Sequence, residues 1–162
     1  MTLPGTLAIV PAEPADAPAI LALQKIAFEP EARASRQWEI PPLQETAEGI
    51  AEHIRGGTVL KAVDGGRLLG SVRGLATGPS CLIRVLVVAP EAQGRGLGAR
   101  LLRAIEDAHP HVERFDLTTN MVMVGNVRFY LRHGYEVVEQ VQHSPTIRLA
   151  AMRKFRTRAG AG

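Results

Sequence analysis

Cysteine, aromatic residues and long apolar runs are scarce in this 162-residue chain, and each scarcity excludes a class of protein. The one cysteine, Cys81, rules out an internal disulfide and predicts a reducing, cytoplasmic location. Aromatic residues make up 4% of the chain, too few to predict a surface on which bases stack. No apolar run approaches the roughly 20 residues of a membrane helix, and the first residues lack the pattern of a secretory signal. We therefore expect neither a nucleic acid nor a membrane as a partner.

The charge of the chain is weakly positive, with a formal net charge of +3. The arginines are scattered, apart from a cluster toward the C-terminus. This balance favours an anionic cofactor over a nucleic acid. His109 and His111 span a turn, and no cysteine or carboxylate pair stands at metal-ligand spacing, so we expect no metal site.

Hydrophobic periodicity and turn signals predict one α+β domain over residues 1–155, followed by a short basic, flexible tail over residues 156–162. The predicted order is β-α-α-β-β-β-α-β-α-β-β, which gives a central mixed sheet flanked by helices. The clearest local signal is a hairpin of residues 58–63 and 67–75. Its turn, Asp64-Gly65-Gly66, supplies the positive φ that a tight turn needs.

The first predicted helix has Asp16 as its N-cap and ends near Phe28. Residues 29–37 are polar and contain a proline, which predicts a loop or a short irregular helix. We expect Trp38 to fill the core rather than to cover a ligand. The following pair of prolines is expected to begin the second helix.

The most informative stretch is a predicted strand, turn and helix over residues 82–102. Residues 82–88 predict a strand buried on both faces and broken only by Arg84, and Pro90 ends it. Three glycines follow at alternate positions, where the next helix begins: Gly94, Gly96 and Gly98. They leave the first amides of the helix unobstructed, and these amides suit a pyrophosphate.

Two other glycine-loop folds compete for this stretch. The glycines also satisfy the dinucleotide pattern G-x-G-x-x-G/A, and Asp116 lies about where a ribose-binding acid belongs. Against that fold, residues 89–93 separate the strand from the first glycine, and a hairpin rather than a parallel unit precedes it. A Walker-type loop is excluded because no Gly-Lys-Ser/Thr follows.

Two segments of the chain resemble a known family. Gln93-x-x-Gly96-x-Gly98, preceded by residues 86–90 (LVVAP), resembles the acetyl-CoA-binding motif of the GNAT superfamily of N-acetyltransferases. Residues 126–135 are similar to the second signature of the family, an Asn before an aromatic-Tyr pair and a Gly with an aromatic residue. The predicted element order also matches the family along almost the whole chain. The resemblance implies a GNAT-like fold and direct transfer of acetyl from acetyl-CoA to a primary amine in a ternary complex.

The resemblance also assigns site residues. The backbone of Leu86 and Val88 would pair with the pantetheine arm, on a strand that splays from its parallel neighbour at residues 115–118, and the Val88 amide would face the thioester carbonyl. Tyr130 would be the general acid, because a phenol with a pKa of about 10 can protonate a leaving thiolate. Asn126 would bind the cofactor or cap its helix. The implied cofactor-binding residues are Leu86, Val88, Gln93, Gly94, Arg95, Gly96, Gly98, Ala99, Asn126 and Tyr130.

The general base and the acceptor amine stay open at this point. Many relatives place a glutamate on the strand before the glycine loop, but residues 80–88 contain none. Glu39 and Glu45 are the remaining carboxylates near the expected acceptor site, and we select Glu45; deprotonation through ordered water is equally compatible. Small amines, antibiotics, amino acids, peptide N-termini and lysine side chains are all acceptors of this scaffold.

Two other functions also remain open. One is a non-catalytic acyl-CoA-binding or regulatory module with the same fold, and the other is a dinucleotide-binding domain. A homodimer that forms through the last strands is a further expectation.

Overall fold

A seven-stranded sheet with the order β1-β2-β3-β4-β5-β7-β6 forms the centre of the computed structural model, which describes residues 6–156. Every neighbouring pair is antiparallel except β4 and β5. The strands are β1 Leu7–Pro11, β2 Thr58–Asp64, β3 Arg67–Thr77, β4 Ser80–Val88, β5 Arg114–Asn120, β6 Glu136–Ser144 and β7 Ile147–Phe155. The helices are α1 Ala17–Ser35, α2 Pro41–Gln44, α3 Ala47–Gly56, α4 Leu97–Asp107 and α5 Val124–Arg132. The predicted α+β class and element order are confirmed, with α2 as one additional turn.

Helices cover both faces of the sheet. On β3, Arg73 donates to Gln24 of α1, while the next residue, Gly74, faces Ile105 of α4. Because successive residues of a strand point to opposite faces, α1 and α4 lie on opposite sides. The α4 side holds the larger core, in which buried Leu101 and Phe115 take part. None of the helices over residues 6–156 is both long and apolar enough to cross a membrane.

Helix α1 is longer than predicted. It continues past Phe28 to Ser35, with Pro30 in its interior, so the predicted boundary and the loop at residues 29–37 are wrong. The helix continues because Ala32 and Ser35 extend its buried side, and Ala32 packs with Ile40 and Ile147. A proline inside a helix removes one backbone hydrogen bond and crowds the carbonyl group four residues earlier, and tertiary packing compensates for both effects here. This extension brings a further turn of α1 over the sheet.

Two side-chain predictions near α1 have different outcomes. Trp38 is not in the core, since it is 53% exposed, and Ile40 is buried in its place. The prediction that Asp16 is the N-cap residue of α1 is confirmed, but its side chain makes no capping hydrogen bond; it accepts a hydrogen bond from the backbone N–H of Glu13 and pairs with Lys61.

The C-terminal boundary is only partly within the described residues. Arg156, assigned to the predicted tail, donates hydrogen bonds to the carbonyl oxygens of Val112, Glu106 and His109 and stacks on Phe115. The folded part therefore includes Arg156. The rest of the predicted tail, residues 157–162, lies outside the described residues.

Candidate active site

The parallel strands β4 and β5 separate after a short stretch of pairing. They pair only from Ser80 to Leu82 and from Arg114 to Asp116. Beyond this point β4 contains a bulge, at which its register with β3 shifts between Ser71 and Arg73 and Val85 has a φ of 53°. Positive φ is rare for a β-branched residue, and a bulge of this kind bends a strand. The predicted divergence of β4 from its neighbour is confirmed.

A cleft of about 420 Å³ lies where the two strands part. The prediction that β4 is buried on both faces is wrong. At the cleft, Leu82 is 39% exposed, and Arg84 is also exposed. The cleft is lined by Phe28 and Glu31 of α1, Gln37 and residues 39–42 before and within α2, residues 82–86 of β4, residues 118–120 of β5, Asn126 and Tyr130 of α5, and His143, Ile147 and Leu149 of the last two strands.

The end of β4 presents backbone groups to the open side of this gap. The N–H of Ala89 donates to Leu69 O at 2.8 Å, so this amide faces β3. Amides alternate in direction along a strand, so the N–H of Val88 points the opposite way, toward the side that β5 has left. The carbonyl oxygen of Val88 accepts a hydrogen bond from the Gln93 side chain at 3.2 Å. An extended ligand could pair with β4 here as an additional strand.

The glycine loop follows directly and ends at the first turn of α4. Gly94 and Gly96 both have a φ of 79°, and Gly96 is the N-cap residue. The first backbone bond of the helix runs from Arg100 N–H to Gly96 O at 3.1 Å, so the amides of residues 97–99 have no partner within the helix. Gly98 is different from the other two glycines, because its φ is ordinary and a β-carbon there would contact Phe129 and Val88 at 3.7–3.8 Å. The helix thus begins within the stretch of three glycines, as predicted, with free amides in its first turn.

Tyr130 lies on the far wall of the cleft, on α5. Its ring makes edge contacts with Phe129 and Tyr135, at centroid distances of 5.2 and 5.8 Å. Burial, with a further contribution from the negative charge of Glu31, raises the pKa of Tyr130 to about 12. The phenol therefore stays protonated throughout the neutral range.

Glu31 is a cleft residue that no sequence motif indicated. Its half-buried carboxylate lines the same cleft as Tyr130. Burial raises the pKa of Glu31, and the nearby Asn120 amide offsets only part of this effect. A carboxylate with a raised pKa is a better proton acceptor than an exposed one. Glu31 lies three residues after Phe28 and four before Ser35, so the three residues share one face of α1. A prediction of α1 at its full length would have placed Glu31 on that face.

Comparison with known proteins agrees with this geometry. The model of a family described as "Acetyltransferase (GNAT) domain" matches residues 55–137, just over half of the chain. The chain belongs to the GNAT acetyltransferase family. No curated protein matches its sequence.

Solved structures of other GNAT proteins have the same fold. The ribosomal-protein-S18-alanine N-acetyltransferase of Escherichia coli is 16% identical, with a TM-score of 0.79 over 96% of this chain and 97% of that one. A GCN5-related N-acetyltransferase of Kribbella flavida is 24% identical, with a TM-score of 0.74 over 94% and 99%. A GNAT acetyltransferase of Elizabethkingia anophelis, solved with acetyl-CoA bound, is 15% identical, with a TM-score of 0.67 over 94% and 99%.

Of the remaining predicted site residues of this GNAT chain, some lie at the cleft or in the glycine loop, and the others lie elsewhere and are paired with other side chains. Asn126 lines the cleft but does not cap α5, since the N-cap is Met123; Glu39 also lines the cleft, and Arg95 is exposed in the glycine loop. Glu45 lies outside the residues that line the cleft. Asp116, the ribose-binding candidate of the dinucleotide hypothesis, is paired with two arginines and is not available to a ribose.

Glu45 is held by other protein groups. Arg73 donates to both of its carboxylate oxygens, at 2.6 and 2.9 Å, and Gln24 donates at 2.7 Å. Burial alone would raise the pKa of Glu45, but the hydrogen bonds and charge of Arg73 outweigh it and lower the pKa. A low pKa and occupied oxygens disfavour the general-base role that we selected for Glu45, and Glu31 meets the requirement better.

Proposed function

We propose that the protein transfers the acetyl group of acetyl-CoA to a primary amine by direct attack in a ternary complex. The observation that carries this proposal is the convergence, in one cleft, of the β4 backbone at residues 82–86, the Tyr130 phenol and the Glu31 carboxylate, with the free amides of α4 in the loop that follows the end of β4. Each of these supplies a different requirement of acyl transfer from a thioester.

The donor would lie along β4 and the glycine loop. The pyrophosphate would accept hydrogen bonds from the amides of the loop and first turn, at Gly94, Gly96, Gly98 and Ala99, with Gln93 and Arg95 beside it. The pantetheine arm would pair with the backbone of Leu86 and Val88. The N–H of Val88 would then donate to the carbonyl oxygen of the thioester as negative charge develops on it. Asn126 would contact the cofactor from α5.

Glu31 and Tyr130 would divide the proton transfers between them. Glu31 would accept a proton from the ammonium form of the acceptor, and the neutral amine would then form its C–N bond to the acetyl carbon. As the C–S bond breaks, Tyr130 would donate its proton to the leaving thiolate. The nitrogen must lose one more proton as the amide forms, and this proton would return to the Tyr130 phenolate. The two steps are coupled, because the charge of Glu31 contributes to the raised pKa of Tyr130. Once Glu31 is protonated, that contribution disappears and the phenol becomes a stronger acid.

The first experiment is a thermal shift with acetyl-CoA, CoA and NAD(H), since a ligand that binds only the folded protein raises its melting temperature. We expect stabilisation by acetyl-CoA and CoA alone, followed by thiol release with amines from a panel. A shift with NAD(H) only would overturn the proposal in favour of a dinucleotide site. Stabilisation by CoA with no turnover of any amine would indicate the non-catalytic module instead.

Location and assembly belong to the same proposal. A cytoplasmic location rests on the single cysteine, which is buried. A homodimer through the last strands is supported by the position of β6 at the edge of the sheet, with Val138 and Val141 exposed on it. Sedimentation velocity tests the dimer: we expect a species of twice the chain mass that Val138→Lys converts to a monomer.

A further inference from the structure

The cleft carries unlike charges on its two sides. Glu31 and Glu39 line it from α1 and from the segment before α2, whereas Arg84 lines it from β4. Among residues 6–156, the guanidinium of Arg84 forms neither an ion pair nor a hydrogen bond with another side chain. An unpaired cation facing a cleft is available to an anionic group of a ligand.

The neighbours of Arg84 cannot neutralise it. Arg73, its partner in the β3–β4 register, already uses both oxygens of Glu45. Burial and the positive charges of Arg73 and Arg84 lower the pKa of His53, while Glu45 partly opposes this. Glu45 is therefore committed to Arg73, and Arg84 has no carboxylate partner among residues 6–156.

The position of Arg84 separates it from the donor's phosphates. It precedes Val88 by four residues, which the bulge shortens to three residue spacings, roughly 10 Å along a strand, and the glycine loop continues beyond the Val88 end of β4. A phosphate held at the loop would therefore lie far from Arg84. The guanidinium is placed on the part of the cleft that the acceptor, rather than the donor, would occupy.

We propose that Arg84 binds a carboxylate of the acceptor, so that the acceptor is a small amino acid or a close derivative. This inference rests on the proposed acetyl transfer. The amine would lie toward Glu31 and Tyr130 and the carboxylate toward β4, so that the charges of the acceptor match those of the cleft. A volume of about 420 Å³, part of which the thioester would fill, favours a small molecule as the acceptor.

The test compares matched acceptors with matched variants. Each amino acid is assayed with acetyl-CoA beside its carboxamide, which keeps the amine and removes the negative charge, and 2-aminoethyl phosphate is assayed beside ethanolamine. The proteins are wild type, Arg84→Gln, and Arg55→Gln as a control that removes an exposed arginine of α3 paired with Glu52. Binding of acetyl-CoA is measured on each by thermal shift.

We expect wild type to prefer acids over carboxamides by roughly tenfold to a hundredfold in kcat/KM, as a charge-assisted hydrogen bond predicts. Arg84→Gln should abolish this preference, mainly through the KM of the acid, without changing acetyl-CoA binding, and Arg55→Gln should keep it. Equal rates with acids and carboxamides, or an equal loss of both in Arg84→Gln, would overturn the proposal. Preference for 2-aminoethyl phosphate over every amino acid would replace the carboxylate by a phosphate.

A binding measurement decides the case in which no probe amine reacts. Propionate is added to the CoA-loaded protein, and its thermal shift is compared between wild type and Arg84→Gln. A shift in wild type alone supports the carboxylate site, whereas no shift in wild type overturns it. If acetyl-CoA and CoA themselves give no shift, the proposed function has failed, which is a separate result from a failure of Arg84.

Discussion

At the residue scale, Tyr130 is the group whose removal should affect chemistry most and binding least. Tyr130→Phe deletes one oxygen and keeps the ring contacts with Phe129 and Tyr135. We expect kcat to fall by roughly a hundredfold or more, in the range for loss of a general acid, with little change in the thermal shift by acetyl-CoA. The measurement is steady-state thiol release with the best acceptor from the panel. Tyr135→Phe is the matched control, because the Tyr135 hydroxyl donates to Glu106 instead. Equal rates for Tyr130→Phe and wild type would remove Tyr130 from the mechanism.

Glu31 predicts the pH dependence. Its carboxylate must be ionised to accept a proton, so kcat/KM should rise as the pH passes upward through its raised pKa. No descending limb from Tyr130 is expected below about pH 10, because its pKa is about 12. Glu31→Gln should abolish the acidic limb and lower the rate at neutral pH. A profile with the same acidic limb in Glu31→Gln would assign that limb to another group.

The raised pKa of Glu31 also predicts that ionisation of this carboxyl, which activity requires, lowers the stability of the fold. A carboxyl whose pKa is raised by folding binds its proton more tightly in the folded state, so its ionisation destabilises the fold above that pKa. Glu31→Gln should therefore melt at or above the wild-type temperature at pH 7.5. The difference should disappear below about pH 4, where the carboxyl is protonated in both states. Melting curves at the two pH values measure it.

The two residues also show what sequence patterns can and cannot predict. Tyr130 lies in a signature of neighbouring residues, and the structure places it on the wall of the cleft. Glu31 belongs to no such signature; its role depends on α1 continuing past Pro30 and on the contacts that hold this extension. Those contacts come from Ile40 and Ile147, which are distant in sequence, so local propensity alone gave the wrong end of the helix.

At the scale of elements, the glycine loop contains two kinds of glycine with different expected responses. Gly96→Ala forces a side chain into a φ of 79° at the start of α4, at a cost of about 1–2 kcal/mol of stability. Gly98→Ala has an ordinary φ and meets only van der Waals neighbours, so the protein without ligand should be unchanged or slightly more stable. Thermal melts without ligand distinguish the two.

Acetyl-CoA binding by the same two variants tests the phosphate site. Both should bind more weakly than wild type, Gly96→Ala because its amides are displaced and Gly98→Ala because its methyl group occupies the approach to them. Gly78→Ala, which has a positive φ in the β3–β4 turn at the other end of β4, controls for loss of stability alone. Undiminished affinity in Gly98→Ala would show that phosphate does not approach this turn of α4.

The strands also show that local sequence predicts some features, whereas other features depend on contacts between residues that are distant in sequence. Apolar content and turn signals predicted the strands and their order, and the dense apolar run of residues 82–88 predicted a strand buried on both faces. The bulge at Val85 and the departure of β5 expose Leu82 and Arg84 instead. A bulge depends on pairing with β3 and leaves no composition signal in β4, so the exposure of the site could not be read from this segment alone.

At the scale of the whole molecule, the sheet consists of two parts joined through three residue pairs between β4 and β5. A ligand that pairs with β4 and reaches α5 would connect both parts. At a hundredfold excess over its Kd, acetyl-CoA should add about 2.7 kcal/mol to stability, which corresponds to a rise in Tm of roughly 5–10 °C at this chain length.

Hydrogen exchange locates this effect. We expect acetyl-CoA to slow exchange at the amides of Leu86 and Val88, in residues 94–99 and in α5, because these groups would gain a partner or be shielded. The β3–β4 turn at Gly78 should exchange as before, since it lies at the other end of β4 from the glycine loop and does not line the cleft. Uniform slowing over the whole chain would indicate a general increase in stability rather than a ligand on β4. Protection confined to residues 94–99 would mean that only the phosphates are held, and the thioester would then have no fixed position beside Val88.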